Sequence, residues 1–411
     1  MKKGTVLQRI ARAALIILIA AMLFLFFTND FGLVDIHKAS IVVAVGVDVT
    51  KQGYDVTAQA AVPTPGKSGE EQYTQVTGSG ATVADAVDDI NAKTGFYPKL
   101  TFCNLVVLGE SCTQGNIFTV LDYFYRNDYV PLTALVGMCR GTAKEVLSAK
   151  PADGSMSASA ISRAMSEELK NSANCSTVNL KLLAQDWGSQ SAAAYMPLIT
   201  LSQGGQASAP EGSGSSGGGS GGGSASSQSG GGAGSGSRGS SGEGAQFTCL
   251  TTAAFSGGRF VGELNEEQSF ALNLMRSSIR LAVVNAVYDG ENYTVGLKNN
   301  RGGFKVRAEG GVPVAKFTFS ALANVQAAEN KPAAEGSANS HLVSGGVLKA
   351  VAEEVEKRFL SLADFCRTNG CDLLGVACLM HRHRYADYLA LKDNLLPSLN
   401  VQTDIKISSV R

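Results

Sequence analysis

From Gln203 to Gly244 the chain is written almost entirely in glycine and serine: GSGSSGGGSGGGSASSQSGGGAGSGSRGSSGEG. No packed core can include such a tract, because it has no apolar surface whose burial would offset its ordering entropy. It predicts a disordered linker over 203–246, a coil with an r.m.s. reach of roughly 35 Å. Whatever folds must therefore fold on either side of it. A G-x-S-x-G spacing occurs inside it, at Gly218 to Gly222. A nucleophile elbow needs a strand entering and a helix leaving, and a Gly/Ser tract supplies neither, so the match carries no chemistry.

The N-terminus sets a second constraint. MKKGTVLQRIARAALIILIAAMLFLFFTND carries Lys2, Lys3, Arg9 and Arg12, then an unbroken apolar run from Ala13 to Phe27. That is the pattern of a signal peptide or a membrane anchor. The run ends Leu25-Phe26-Phe27-Thr28, without the small residues a cleavage site needs, which favours an uncleaved anchor over 1–30. The run alone is shorter than the roughly 20 residues of a bilayer span. Val6 to Phe27 reaches that length once Arg9 and Arg12 snorkel to the inner headgroups. The positive-inside rule then leaves the cations in the cytoplasm and the body outside. No later segment approaches transmembrane length, so a single-pass membrane protein is expected.

Composition narrows the function classes. Lys+Arg and Asp+Glu both number 35, which argues against a basic nucleic-acid surface and against long-range steering of charged partners. The chain has 411 residues, 44% of them hydrophobic, enough for two or three domains. The eight cysteines are scattered and several sit in apolar patterns. Buried free thiols are the simpler expectation, with Cys366 and Cys371, flanking a helix break, the pair most worth testing for a bridge.

The periodicities predict α/β and α+β organisation. An N-terminal α/β domain is expected over 31–202, a middle segment over 247–290 and a C-terminal α+β domain over 291–411. ASIVVAVGVDV and YDVTAQAAV read as a hairpin about Thr50-Lys51-Gln52-Gly53. Thr82 and Asp85 form a capping-box variant, Val83, Ala86, Val87 and Ile90 one apolar stripe, and Gly95 a stop. Leu100 to Leu108 reads as a strand too apolar to have a wet face. A helix follows over Asn116 to Tyr125, burying Ile117, Val120, Leu121 and Phe124. VPLTALVGMC reads as a strand, TAKEVL as a helix start, Ala158 to Ala173 as a polar helix and YMPLITL as a strand. Beyond the tract come two strands about Ser256-Gly257-Gly258, a helix over Glu266 to Met275, and an antiparallel meander with turns at Asp289-Gly290 and Asn299-Asn300. A long helix then aligns Val347, Val351, Val355, Phe359, Leu362 and Cys366 on one face. A second helical segment runs to about Leu396, and NVQTDIKISSV closes as a strand.

Three constellations invite chemistry. Ala61 to Ser68, AVPTPGKS, meets the looser phosphate-loop spacing. Such a loop works through backbone N–H groups ahead of a helix; Pro63 and Pro65 have none, and the residues that follow are not helical in pattern. Glu110-Ser111-Cys112 offers a carboxylate, a hydroxyl and a thiol in one turn. A nucleophile needs a base, and His37, His341, His381 and His383 stand in no triad context. The competing reading is a helix start, with Ser111 or Thr113 capping and Glu110 near the positive helix end. Cys378, His381, His383 and Asp387 are ligand types on a helical stretch. Only Cys378/His381 and His383/Asp387 have metal-site spacing, and Arg382 and Arg384 interleave, so a basic solvated face is the stronger reading. No catalytic, cofactor-binding or metal-binding residues are expected, which points to binding or assembly.

The ordered series of motifs resembles one family. Val45 to Asp48 (an "iGiD" strand end), Gly80-Ala81-Thr82 (a "G-x-T" helix start) and Val106 to Glu110 ("vivlGE") follow one another in order. Arg126-Asn127 and Gly141 to Leu147 ("G-x-A-x-E-[IV]-L") continue the series. Beyond the tract, AAFSGGRFVGELNEEQS and DLLGVACLMHRHRYADYLALKDNLLPSLNVQTDIKISSV are similar to its later segments. The family is the Ger(x)C family, the C subunits of spore germinant receptors. The resemblance implies a non-enzymatic subunit at the outer face of the spore inner membrane, beside two integral-membrane subunits of the A and B types. It also implies three consecutive α/β and α+β domains. Two features depart from the family pattern. The chain has no cysteine before Cys103, so the usual lipid attachment gives way to the apolar helix. The Gly/Ser tract stands where the family has a short loop between two strands, an insertion that closure entropy tolerates. Readings from other classes are a general envelope scaffold or solute-binding module, and an exported hydrolase using Ser111 or Cys112.

Overall fold

The computed structural model describes residues 3–28, 39–62, 72–95, 97–165, 173, 175–203, 244–276, 279, 281–329 and 343–410. Helix α1 runs over Lys3–Thr28. Its described side chains, 12–24, are all exposed, Leu15, Ile17 and Leu18 among them. Among the described residues no helix is long and apolar enough to cross a membrane. The phosphate-loop spacing beyond Val62, His37, His341 and nearly all of the Gly/Ser tract lie outside the described residues.

Strands β1 (Ala39–Thr50) and β2 (Gly53–Val62) form the expected hairpin, closed at Thr50 opposite Gly53, and β3 (Gln72–Gly80) pairs with β2. Helix α2 (Val83–Thr94) has the expected capping box between Thr82 and Asp85, the expected buried stripe, and Gly95 in the left-handed region at its C-terminus. Glycine adopts that conformation without a Cβ penalty. The strand expected over Leu100 to Leu108 is broken into β4 (Tyr97–Lys99), a 3-10 turn at Leu100–Phe102, and β5 (Leu105–Leu108). The Cys103 N–H donates to the Leu100 carbonyl, which closes the turn. β4 and β5 both pair parallel with β1, one after the other.

Helix α3 (Ile117–Arg126) buries Phe118 as well as the expected four residues. β6 is shorter than expected, Leu135–Cys139, because Pro131 supplies the carbonyl of a turn to Ala134. α4 (Ala143–Ser148) follows as read. The helix expected over Ala158 to Ala173 is α5 (Ser157–Ala164), ending at Met165; residues 166–172 lie outside the described residues. Helix α6 (Leu180–Trp187) was hidden by its length of 8 residues, too short to show a period.

β7 (Ala193–Gln203) and β8 (Ala245–Ser256), on opposite sides of the Gly/Ser tract, pair antiparallel from Ala193 opposite Ser256 to Gln203 opposite Ala245. β9 (Arg259–Leu264) completes a nine-stranded mixed sheet in the order β3-β2-β1-β5-β6-β7-β8-β9, with β4 beside β1. Strands β1, β5, β6 and β7 are mutually parallel and buried on both faces. Val106 and Leu108 point into one core with α2, α3 and α6; Leu105 and Val107 point into another with α4 and α5. The two-residue period of a strand thus explains the unbroken apolar run.

Helix α7 (Glu266–Arg276) leads to a second, four-stranded sheet: β10 (Leu281–Tyr288), β11 (Glu291–Glu309), β12 (Val312–Ala328) and β13 (Asn400–Ser409). The Asp289-Gly290 turn stands as read. Asn299-Asn300 does not turn the chain: it is a bulge inside β11, where the register skips between Lys298 and Arg301. Asn299 takes φ 52°, a conformation asparagine tolerates, and the Asn300 amide donates to the carbonyls of Ile279 and Leu297. The real turn is Gly310-Gly311, with φ 58° and 80°.

Helix α8 (Gly345–Asn369) packs its six expected residues on this sheet, and Phe359 stacks on Phe317 at 4.0 Å between ring centroids. The segment after Gly370 divides at Arg384 into α9 (Val376–His383) and α10 (Tyr385–Leu391), and β13 (Asn400–Ser409) runs parallel to β12. The cysteines are unbridged, Cys366 and Cys371 included, and only Cys378 is not fully buried. Phe359→Ala removes a buried ring from a close-packed stack, and a loss of about 3–5 kcal/mol is expected, read as a lowered urea midpoint of the full-length protein.

Candidate functional site

The carboxyl ends of β1, β5 and β6 bring three of the motif segments together. Such an edge is where open α/β sheets bind ligands. Here the chain's own groups fill it. Asp48, the last residue of the "iGiD" segment, is buried. Its Oδ1 accepts from the Ala143 N–H at 2.9 Å and its Oδ2 from the Lys144 N–H at 3.2 Å. These are two of the orphan donors that every helix start presents. Thr142 and Glu145 close a reciprocal capping box over the same turn.

Glu110 completes the junction from β5. Its backbone N–H donates to the Gly141 carbonyl at 2.9 Å, and its Oε2 accepts from the Gly141 N–H at 2.9 Å. Gly109 is required beside it, because a Cβ there would lie 1.9 Å from Asp48 Oδ1. Gly46 is similarly constrained: its Cβ would meet that of Ala143 at 2.9 Å. Arg140 carries the junction outward to β9 through an ion pair with Glu263 at 2.6 Å.

The turn's remaining groups are committed to structure. Ser111 Oγ accepts from the Val49 N–H at 2.8 Å. The Cys112 thiol donates to the Val47 carbonyl at 3.4 Å. Burial, helped by the nearby Asp48 charge, pushes that thiol up to about 12, so it is not a thiolate at neutral pH. The expected capping by Ser111 or Thr113 is corrected. Asn116 caps α3, its Oδ1 accepting from the Phe118 N–H at 2.9 Å, while Thr113 donates back to the Glu110 carbonyl. The residues 110–114 wind as a 3-10 turn that ends before α3 begins, and this leaves the shorter Asx cap to do the work. Glu110 braces the approach to α4, not the start of α3.

Cys378 and His381 lie one turn apart on α9, while His383 ends α9 and Asp387 sits on α10. The His381 ring packs edge-on against Tyr385 and Tyr388 at 5.3 and 5.2 Å. Among the described residues no group of three or more potential metal ligands forms.

A second polar centre joins the segments on either side of the Gly/Ser tract, and sequence reasoning missed it. Arg276, the last residue of α7, pairs with Asp186 at 2.6 Å and donates through Nε and a terminal nitrogen to the Leu373 carbonyl. Its guanidinium also lies 5.3 Å from the centroid of the Tyr195 ring. Next to Leu373, Asp372 accepts from the N–H groups of Val376 and Ala377 and from the Ser191 hydroxyl. An acidic residue shortly after a helix-stopping glycine was the available signal, since it is placed to start the next helix.

Residues 33–201 match the family model described as "Spore germination protein N-terminal domain", and residues 251–410 match "Spore germination B3/ GerAC like, C-terminal". Among solved structures, "Crystal Structure of the GerBC protein" is similar at 15% identity with a TM-score of 0.49, over 89% of this chain and 97% of that one. No curated protein matches this chain.

Asp48→Ala leaves two helix-start donors unpaired and is expected to cost about 2–3 kcal/mol in a denaturant titration. Burial, outweighing the two backbone hydrogen bonds, raises the Asp48 carboxyl above its ordinary value. The folded state therefore binds this proton more tightly, and the stability linked to it falls as pH rises from the ordinary carboxylate value through the raised one. Relative to Asp48→Asn, the wild type is expected to gain stability as pH is lowered across that window, measured as the difference in denaturant midpoints.

Proposed function

This chain belongs to the Ger(x)C family of spore germination proteins, and from that premise we infer that it is the membrane-anchored C-type subunit of a nutrient-germinant receptor. It acts by protein–protein contact, without catalysis, outside the cytoplasm at the outer face of the spore inner membrane. Its partners are two integral-membrane subunits of the A and B types. The observation that carries this reading is the ordered match of both family domains along the chain. The convergence of the family-like motifs on a junction of structural hydrogen bonds supports it. A motif series spent on holding β1, β5, β6 and α4 together belongs to a scaffold.

The anchor in this proposal is α1, whose described side chains from Ala13 to Phe24 are apolar and exposed, with the flanking cations of the sequence on the cytoplasmic side. The proposed division is an N-terminal domain over 31–202, a linker over 203–246, a middle segment over 247–290 and a C-terminal domain over 291–411. The middle segment then acts as a brace, giving β8 and β9 to the larger sheet and β10 to the smaller. The hydrolase reading loses its chemistry at Ser111 and Cys112, whose polar atoms bond the backbone of β1.

Deletion of the gene in spores that lack other nutrient receptors is expected to abolish nutrient-triggered germination, and the tagged protein is expected in the spore inner-membrane fraction. Unchanged germination of such spores would remove the receptor assignment. Recovery of the intact protein in the soluble fraction would remove the anchor.

A further inference from the structure

The two edges formed by the parallel strands β1, β5 and β6 differ sharply. None of the large exposed apolar side chains lies in the connections that leave these strands, 51–52, 109–116 and 140–142. Those connections carry Lys51, Gln52, Glu110 and Arg140 instead. The connections that enter the strands are the reverse. Tyr97 is 42% exposed at the start of β4, where it pairs with Ala39, the first residue of β1. Phe102, in the 3-10 turn before β5, is 60% exposed. Tyr129 and Leu132, in the connection before β6, are 63% and 47% exposed. Leu182 is 45% exposed, and it sits beside Leu132 because the Lys181 N–H donates to the Leu132 carbonyl.

This edge is also where the chain arrives from α1. Residues 29–38 separate Thr28 from Ala39, and ten residues reach at most about 36 Å. The exposed apolar face of α1 and the exposed aromatic edge of the sheet are thus held within one short tether of each other. Exposed rings with a polar tip and isolated leucines, rimmed by Lys99 and Lys181, are the side chains that settle at a bilayer–water boundary. A patch of this kind marks a binding surface on a soluble body.

We propose that the entering edge of the larger sheet, carrying Tyr97, Phe102, Tyr129, Leu132 and Leu182, lies against the lipid headgroups and inserts its side chains there. This rests on the reading of α1 as the anchor. The protein body then has a fixed orientation, with the β1–β2 turn pointing away from the bilayer. Strand β1 has 12 residues, which places that turn about 40 Å farther out. The exit edge, with its Asp48–Glu110–Arg140 junction, faces outward as well.

The test uses the full-length protein reconstituted in phosphatidylcholine/phosphatidylglycerol vesicles whose acyl chains are brominated. A Trp187→Phe background carries one new tryptophan at a time. Leu18→Trp reports on the anchor, Phe102→Trp and Tyr129→Trp on the edge, and Gln52→Trp on the far turn. Quenching on the order of twofold or more is expected at positions 18, 102 and 129, since interfacial side chains sit about 5–10 Å into the boundary, and none at 52. Quenching at 18 without quenching at 102 and 129 would overturn the membrane-facing edge and leave the anchor standing, with the edge free for a protein partner. Quenching at 52 would overturn the orientation. No quenching at 18 would remove the anchor and this proposal together.

Discussion

The longest backbone link between the two sides of the Gly/Ser tract is one ladder, the antiparallel pairing of β7 with β8. Closing a hairpin over the roughly forty residues between Gln203 and Ala245 costs about 3 kcal/mol of chain entropy. The ladder offsets that with its hydrogen bonds and with buried Met196, Leu198, Ala253 and Phe255, since each large apolar side chain contributes about 1.5–3 kcal/mol on burial. Because the pairing wins, the larger sheet continues across the tract. β9, α7 and the second sheet can then be placed from it. Arg276 adds a polar lock at the same seam, binding Asp186 from one side of the tract and the Leu373 carbonyl from the other.

The buried carboxylates have a common task. Asp48 and Asp372 each cover the first N–H groups of a helix, α4 and α9. Burial raises both carboxyls above their ordinary value. Buried carboxyls shifted in this way are a common feature of catalytic sites. Here each is enclosed by the donors it satisfies, and the hydrogen bonds fix strand ends relative to helices. Rigid placement of surfaces is what the proposed role as a receptor subunit calls for, and a rigid body is also what the proposed membrane-facing edge needs to hold one orientation.

Local signals suffice where one interaction decides the outcome. The capping box at Thr82, the left-handed stop at Gly95, the β1–β2 turn and the stripe of α8 each depend on side chains within a few residues of one another. Where the fold departs from the local pattern, the cause is different. Leu100 to Leu108 is uniformly apolar, yet the chain breaks at Cys103, because β4 and β5 take successive places along β1. Asn299-Asn300 has a turn's residues, but the flanking strand continues past it, and the bulge uses the same αL tolerance for another purpose. Of the site, the participants Glu110, Ser111 and Cys112 were visible. Their partners Val47, Val49 and Gly141 were not, since each lies on another strand or beyond one. Arg276 looked like any cation in the last turn of a helix.

Composition and local pattern account for the apolar N-terminus, the tract that no core can hold, the mixture of helices and strands, and the order of the family-like motifs. These follow from composition and from periodicities of two and 3.6 residues, which are local properties of the chain. Long-range packing sets the rest: β7 and β8 join across the tract, β13 lies parallel to β12, Asp48 caps a helix 95 residues away, and the exposed rings share one edge. Strand order and side-chain partnership are set by which surfaces bury together most completely, and that competition involves residues far apart in the chain.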